Sequence, residues 1–340
     1  MTETMIAKII NKKNALKSLS DAEFERILPL LAEELETHGI LYEAYSDEEI
    51  RKDWKLLCGK PTTTNISATS VAGMKVLRKH MRHFHEVANH KGHSVRSLWK
   101  RENLEKALRF NRTNHSTPYA SEIIRSLSFT NGLGKVTMYR PLMARNVVAH
   151  FGAKTVLDVC AGWGGRMIGA KSVDLDGVQY TGIEPNTKTY AGLCAIRDEL
   201  GLSGVNLICE PAEKALLEFP ADAKFDLALT SPPYYNLEIY SGESTQSVGE
   251  RDYASWINSF LKPVILGVIA RVTYSCWSVK NFKTDRQYDL LDDVIRIHKE
   301  AGWKQMDTIF TMSNSKRPGG GGSNEAPKKT EEITYVFMKE

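Results

Sequence analysis

Along the first 130 residues the apolar positions recur at helical spacing. Ile6, Ile9, Ile10 and Leu16 form a short amphipathic pattern, and Ser20 with Glu23 makes a capping box ahead of Phe24, Ile27, Leu28 and Leu31. Asp47 opens a further helix through Ile50, Trp54, Leu56 and Leu57, which Gly59 and Pro61 close. Residues 62–70 are polar and read as a loop. Helical spacing resumes through Val76, Met81 and Phe84, and again around Leu98, Leu104 and Leu108. From about residue 139 the period changes. Short β-rich runs at 155–159, 178–183, 205–208, 225–230 and 272–278 alternate with helical stretches, the clearest being 187–200, stopped by Gly201. Such alternation implies right-handed crossovers and a mostly parallel sheet. Two more strand-like runs, 305–312 and 333–338, predict a C-terminal antiparallel hairpin, and the glycine-rich stretch 313–332 between them reads as a flexible loop. The expected organisation is a helical region over residues 1–130 followed by an α/β domain over 131–340.

Composition narrows the class. With 42% hydrophobic, 25% charged and 9% aromatic residues in 340, the chain is an ordinary globular one, not disordered, collagen-like or disulfide-stapled. Its five cysteines are scattered without a C-x-x-C pair, which points to reduced thiols. The longest apolar run, 263–270, falls far short of the ~18 residues of a membrane span. Lys8, Lys12 and Lys13 are not followed by an apolar signal-peptide core, so no membrane partner and a cytoplasmic location are expected.

The net charge of +4 is unevenly spread: residues 1–60 hold 9 Lys/Arg against 12 Asp/Glu, whereas 71–120 hold 11 against 3 and six of the nine histidines. Interleaved with Phe84, Trp99, Phe110 and Tyr119, this basic stretch has the footprint of a polyanion-binding surface, and a solvated helical face explains it equally well. Lys79, Arg82, Lys91, Arg96, Lys100 and Arg101 are the candidate nucleic-acid contacts, joined by Lys75, Arg78 and the loop residues Lys316, Arg317, Lys328 and Lys329. His80, His83, His85, His90 and His93 have no accompanying cysteine and no common ligand face, so no metal is expected.

The chemistry concentrates after residue 139. In Val156-Leu157-Asp158-Val159-Cys160-Ala161-Gly162-Trp163-Gly164-Gly165-Arg166 an apolar strand ends in an acid, and a glycine turn then opens a helix. Glycines there let a cofactor lie against bare backbone. The dinucleotide pattern G-x-G-x-x-G fails, because its third position is Met167, so no pyrophosphate cradle is expected. The second strand ends at Glu184-Pro185-Asn186, where one carboxylate grips both hydroxyls of a ribose. The fourth strand runs straight into Ser231-Pro232-Pro233-Tyr234, beyond the carboxyl end of the sheet, where ligands of open α/β folds bind.

The D-x-x-x-G-x-G run followed by an acid on the second strand resembles the S-adenosylmethionine-dependent methyltransferases of Rossmann-like fold, from about Tyr139 to Glu340. The resemblance implies that Asp158, Ala161, Gly162 and Gly164 line the methionine and ribose portion. It places Glu184 and Pro185 on the ribose and Glu213, or Glu210, near the adenine. Tyr139-Arg140-Pro141 resembles the segment that covers the methionine end in DNA amino-methyltransferases. Ser231-Pro232-Pro233-Tyr234 is similar to the (Ser/Asp/Asn)-Pro-Pro-(Tyr/Phe) motif of enzymes that methylate exocyclic or amide nitrogens.

Such a nitrogen has its lone pair delocalised and needs two acceptors to turn it toward the methyl group. The Ser231 side chain and the Pro232 carbonyl are the candidates, with proline fixing φ. Tyr234 would stack on a flipped base, and Tyr235, Asn236, Glu238 and Tyr240 would wall its pocket. A C5-cytosine route is not expected, because no Pro-Cys occurs. Serine in the first position points to N4 of cytosine in DNA, then N6 of adenine. No recognition domain separates the two motifs, so target recognition is expected from the helical N-terminal region and the loops. RNA bases, a protein glutamine and a catalytically silent nucleic-acid-binding subunit are the alternatives.

Overall fold

The structure is a computed structural model that describes residues 4–67, 69–115, 117–133, 136–245, 252–313 and 331–340. The chain forms two compact units: residues 1–44, 82–137 and 238–241 in one, and 45–81, 138–237 and 242–340 in the other. This differs from a single cut near residue 130. Residues 45–81 belong with the sheet because they are tied into it: Asn65–Ser67 pairs in parallel with Thr311–Ser313, and the Asp53 carboxylate accepts the Lys75 backbone N–H at 3.0 Å. The loop expected over 62–70 thus contains a short strand. The candidate loop contacts Lys316, Arg317, Lys328 and Lys329 lie outside the described residues.

The first unit is helical. Its helices Asp21–His38, Arg101–Asn114 and Ala120–Thr130 bury Phe24, Leu28, Leu31, Leu35, Leu104, Leu108, Ile123 and Leu127 in one core. Ser20 and Glu23 form the expected capping box, with the Ser20 N–H donating to Glu23 Oε2 at 2.9 Å. Trp99, read above as part of a base-binding surface, is instead core, and its indole N–H donates to the Leu35 carbonyl at 2.8 Å. Glu238–Ile239 returns to this unit and pairs antiparallel with Ala88–Asn89.

The second unit is built on an eight-stranded sheet: β1 (Asn65–Ser67), β2 (Thr155–Asp158), β3 (Gln179–Ile183), β4 (Val205–Ile208), β5 (Phe225–Thr230), β6 (Val272–Ser278), β7 (Trp303–Ser313) and β8 (Glu331–Lys339). Their spatial order is β1-β7-β8-β6-β5-β2-β3-β4, and β8 runs antiparallel to both its neighbours. The fold class is therefore the expected one, a mostly parallel Rossmann-like methyltransferase sheet with a C-terminal antiparallel hairpin. Helices such as Pro141–Phe151, Thr187–Leu200, Lys262–Ile269 and Leu290–Glu300 join the strands. The core includes Leu157, Ile183, Ala228, Trp256, Leu261, Val264 and Trp277. Trp277 is fully enclosed and donates its indole N–H to Ser275 Oγ at 2.7 Å, so it is a packing residue.

Chain order and strand order diverge at one place. β2, β3 and β4 step outward to one edge, and β5 then returns to the other side of β2, with Leu157 level with Ala228. Asp226 locks this junction from below, accepting the backbone N–H groups of Lys154 at 2.7 Å and Thr155 at 2.9 Å. A crevice opens above such a reversal, outside the carboxyl ends of the strands.

Candidate active site

Both motifs read from the sequence flank that crevice. β2 delivers Asp158 and the turn to Gly164 on one side, and β5 delivers Ser231 to Tyr234 on the other.

The glycine turn is held from beneath. Asp158 is fully buried and accepts three hydrogen bonds: from Arg166 Nε at 2.8 Å, from the Tyr180 hydroxyl at 2.7 Å and from the Cys160 N–H at 3.3 Å. Arg166 also donates to the Cys160 carbonyl and lies 5.0 Å over the Tyr139 ring. Burial opposes the Arg166 charge, but Asp158 beside it keeps the guanidinium above its ordinary pKa. Asp158 therefore braces the turn. Arg166 and Tyr180 are the partners that sequence reasoning missed; the only available signal was a lone arginine inside a glycine-rich helix start.

The glycines serve different ends. Gly162, at φ +54°, has open space around its Cβ position and gives its N–H to Glu184 Oε2 at 2.9 Å. Gly164, at φ +83°, is packed: a Cβ there would meet Leu193 at 3.0 Å. Its role is to admit the neighbouring helix, and Gly162 is the one that leaves room for a ligand. Ala161 is buried and donates its N–H to the Ile183 carbonyl at 2.8 Å, tying the turn to β3.

Glu184 sits at the tip of β3 with 8% of its surface exposed. Its other oxygen accepts the Asn186 N–H at 2.9 Å. Burial pushes its pKa up to about 7, against the lowering pull of the Asn186 and Gly162 N–H groups. Each oxygen carries one backbone donor and keeps a lone pair, which suits a vicinal diol. Pro185 follows at the rim, and Glu213 is half-buried in the first turn of the helix after β4.

Tyr139 closes the methionine side expected above. It is buried, and its hydroxyl meets Ser278 Oγ and Thr334 Oγ1, each at 3.2 Å. Burial raises its pKa to about 12. Arg140 is the N-cap and Pro141 the first residue of the helix Pro141–Phe151. Proline is favoured there because its missing N–H would be unpaired anyway.

On the opposite side of the crevice, Pro232 is buried and Ser231, Pro233 and Tyr234 are half-exposed. The Tyr234 carbonyl accepts the Leu237 N–H at 2.7 Å in a tight turn, and its ring meets Phe282 edge-on at 5.4 Å. Tyr235 has φ +23°, an unusual value for a bulky residue, and is buried against Tyr253, Trp256 and Tyr288. Asn236 accepts from Thr284 Oγ1 at 2.9 Å. Glu238 and Tyr240 belong to the helical unit.

The candidate nucleic-acid contacts are divided and largely neutralised. Lys79 belongs to the sheet unit and pairs with Glu199 at 2.6 Å; the other five belong to the helical unit. There Arg96 pairs with Glu86 at 3.1 Å, Lys100 with Glu36 at 3.3 Å and Arg101 with Glu33 at 3.3 Å, while Arg82 lies over the Tyr42 ring at 5.1 Å. Lys91 donates its backbone N–H to Asn89 at 2.9 Å. Among the described residues no group of His, Cys, Asp and Glu could hold a metal ion, and no helix is long and apolar enough to cross a membrane.

No protein-family model matches the chain, and no curated protein matches it. Solved structures are similar to it over part of its length. They include the precorrin-6y C5,15-methyltransferase of Geobacter metallireducens, 13% identical with a TM-score of 0.38 over 57% of this chain and 87% of that one. TrmN of Thermus thermophilus is 14% identical with a TM-score of 0.38, over 58% of this chain and 48% of that one. A SAM-dependent methyltransferase of Agrobacterium tumefaciens is 15% identical with a TM-score of 0.39, over 58% of this chain and 59% of that one.

Proposed function

We propose that the chain is an S-adenosylmethionine-dependent methyltransferase acting on the exocyclic amino group of a nucleic-acid base, with N4 of cytosine in DNA as first choice and N6 of adenine as second. One observation carries this: at the single strand-order reversal, a glycine turn with a diol-binding acid faces a Ser-Pro-Pro-Tyr turn across one crevice. The residues present fit the cofactor. Glu184 offers two oxygens to the ribose hydroxyls, Gly162 leaves space, and Tyr139 with Arg140 bounds the methionine end. When bound, the cofactor supplies an electrophilic methyl group on sulfur.

The chain's own residues then position the amine. Ser231 Oγ and the Pro232 carbonyl accept its two N–H bonds and leave its lone pair free to point at the methyl group. Tyr234, steadied edge-on by Phe282, offers a stacking face for the base. Catalysis of this kind is orientation and polar stabilisation with no covalent intermediate. A base in single-stranded or structured RNA is the second reading. It is favoured by the ion pairing of Lys79, Arg96, Lys100 and Arg101, which leaves less charge for a duplex backbone. The test is direct: DNA and RNA incubated separately with the protein and S-adenosylmethionine, then digested to nucleosides for mass spectrometry. N4-methylcytosine in DNA is the expected product.

A further inference from the structure

The methionine end of the proposed cofactor is a zwitterion, so its site must supply one cation and one anion. Asp158, the acid nearest the glycine turn in sequence, is fully buried and bonded to Arg166, Tyr180 and Cys160. The anion must come from elsewhere.

Beside Tyr139 lies a recess lined by Tyr139, Arg140, Met143, Met312, Glu332 and Thr334. Tyr139 is the wall it shares with the glycine turn: the Tyr139 carbonyl oxygen is 2.1 Å from where a Cβ on Gly165 would sit. The far wall is fixed by Ser278 Oγ and Thr334 Oγ1, 2.6 Å apart, both reaching the Tyr139 hydroxyl. Side chains alternate along β8, so Glu332 shares the face of Thr334 two residues on, with Met312 as its register partner on β7. Among the described residues the Glu332 side chain makes no hydrogen bond or ion pair. Burial raises its pKa, although the charges of Lys280, Arg166 and Arg140 act on it in the opposite sense. A half-buried carboxylate without a partner is costly, and a ligand cation would relieve that cost. Arg140, its neighbour on the recess wall, is the N-cap of the helix Pro141–Phe151 and makes no side-chain capping bond. A guanidinium at an 11-residue helix N-terminus suits a carboxylate.

We infer that Glu332, contributed by the C-terminal hairpin, is the counter-charge for the α-ammonium of the cofactor, and that Arg140 takes its α-carboxylate. This rests on the cofactor proposed above. Calorimetry on the full chain separates the two, using S-adenosylhomocysteine, which keeps the amino-acid end, and 5′-methylthioadenosine, which lacks it. Glu332→Gln is expected to weaken S-adenosylhomocysteine about tenfold or more and to leave 5′-methylthioadenosine within about twofold. Arg140→Gln should do the same, Glu332→Asp should restore part of the loss, and Lys280→Gln should change neither ligand. The inference is overturned if Glu332→Gln leaves S-adenosylhomocysteine unchanged, or weakens both ligands alike as a disturbed hairpin would. If the wild type binds neither ligand, the cofactor reading fails and this inference fails with it.

Discussion

Asp158 and Glu184 end adjacent strands of one sheet, and their surroundings give them opposite characters. Asp158 has a guanidinium against it and serves the fold; Glu184 has only two backbone N–H groups, and burial lifts its pKa to about 7. A ribose diol needs the ionised acid as a double acceptor. Cofactor affinity is therefore expected to rise as pH increases from about 6 to 8, with a proton released on binding near pH 7. Calorimetry in buffers of differing ionisation enthalpy reads that proton, and Glu184→Gln should abolish it. Ser231→Ala is expected to slow turnover with little change in cofactor affinity, and Tyr234→Ala to nearly abolish it, since base stacking is worth about 1–3 kcal/mol and also sets the approach angle. Steady-state rates beside calorimetric affinities check both. Glu184 was legible as an acid at a strand tip. The burial of Asp158 was not, because its partner Arg166 lies eight residues on, across a turn whose path depends on Gly162 and Gly164 at positive φ.

At the scale of elements, the turn and the helix Gly165–Lys171 work as one piece pressed onto Tyr139–Pro141. A Cβ on Gly165 would sit 2.1 Å from the Tyr139 carbonyl oxygen, and one on Gly169 2.3 Å from that of Pro141. Gly165→Ala and Gly169→Ala should each cost about 1–3 kcal/mol through overpacking, and Gly165→Ala should also weaken cofactor binding. Gly201→Ala, with nothing within 4 Å of its Cβ and only φ +61° against it, should cost about 1 kcal/mol and leave binding intact. Denaturant unfolding with parallel binding measurements distinguishes the two cases.

The strands 205–208, 225–230 and 272–278 and the helix 187–200 matched their sequence patterns because apolar runs and Gly201 mark their limits. Asn65–Ser67 carried no such mark: it is a short, mostly polar stretch that pairs only because the edge of β7 is available. Nor could the sequence reveal that the acids facing Lys100 and Arg101, Glu36 and Glu33, come from a helix more than sixty residues earlier.

Over the whole molecule, two buried groups set opposing pH dependences. His298 donates through Nδ1 to the Val294 carbonyl at 2.7 Å and lies against Ser275 Oγ at 3.0 Å, and burial drops its pKa from 6.5 to about 4. The unfolded chain binds that proton more readily, so the stabilisation present above pH 6.5 is lost as pH falls toward 4. Glu184 acts the other way: raised from 4.5 to about 7, it favours the folded state at low pH, and that advantage is lost as pH rises through 7. Each shift is worth about 2 kcal/mol between pH 7.5 and 5, so the two nearly cancel. Denaturant unfolding at both pH values is expected to show Glu184→Gln losing about 2 kcal/mol more than wild type on acidification, and His298→Gln losing about 2 kcal/mol less. Equal pH responses in all three proteins would exclude this balance. The division into two units was only partly legible: the change of period near residue 139 was visible, but the membership of residues 45–81 depends on pairing at a sheet edge 240 residues later.

The most direct measurement uses S-adenosylmethionine carrying a deuterated methyl group. The purified protein is incubated with it and with DNA or RNA, and the digested nucleosides are resolved by mass spectrometry. The expected result is a deuterated methyl group on an exocyclic nitrogen, N4 of cytosine first, that disappears in the Tyr234→Ala variant while cofactor binding persists. A label on carbon 5 of cytosine, or no label in any base from a protein that binds the cofactor, would contradict amino-methylation at Ser231 to Tyr234.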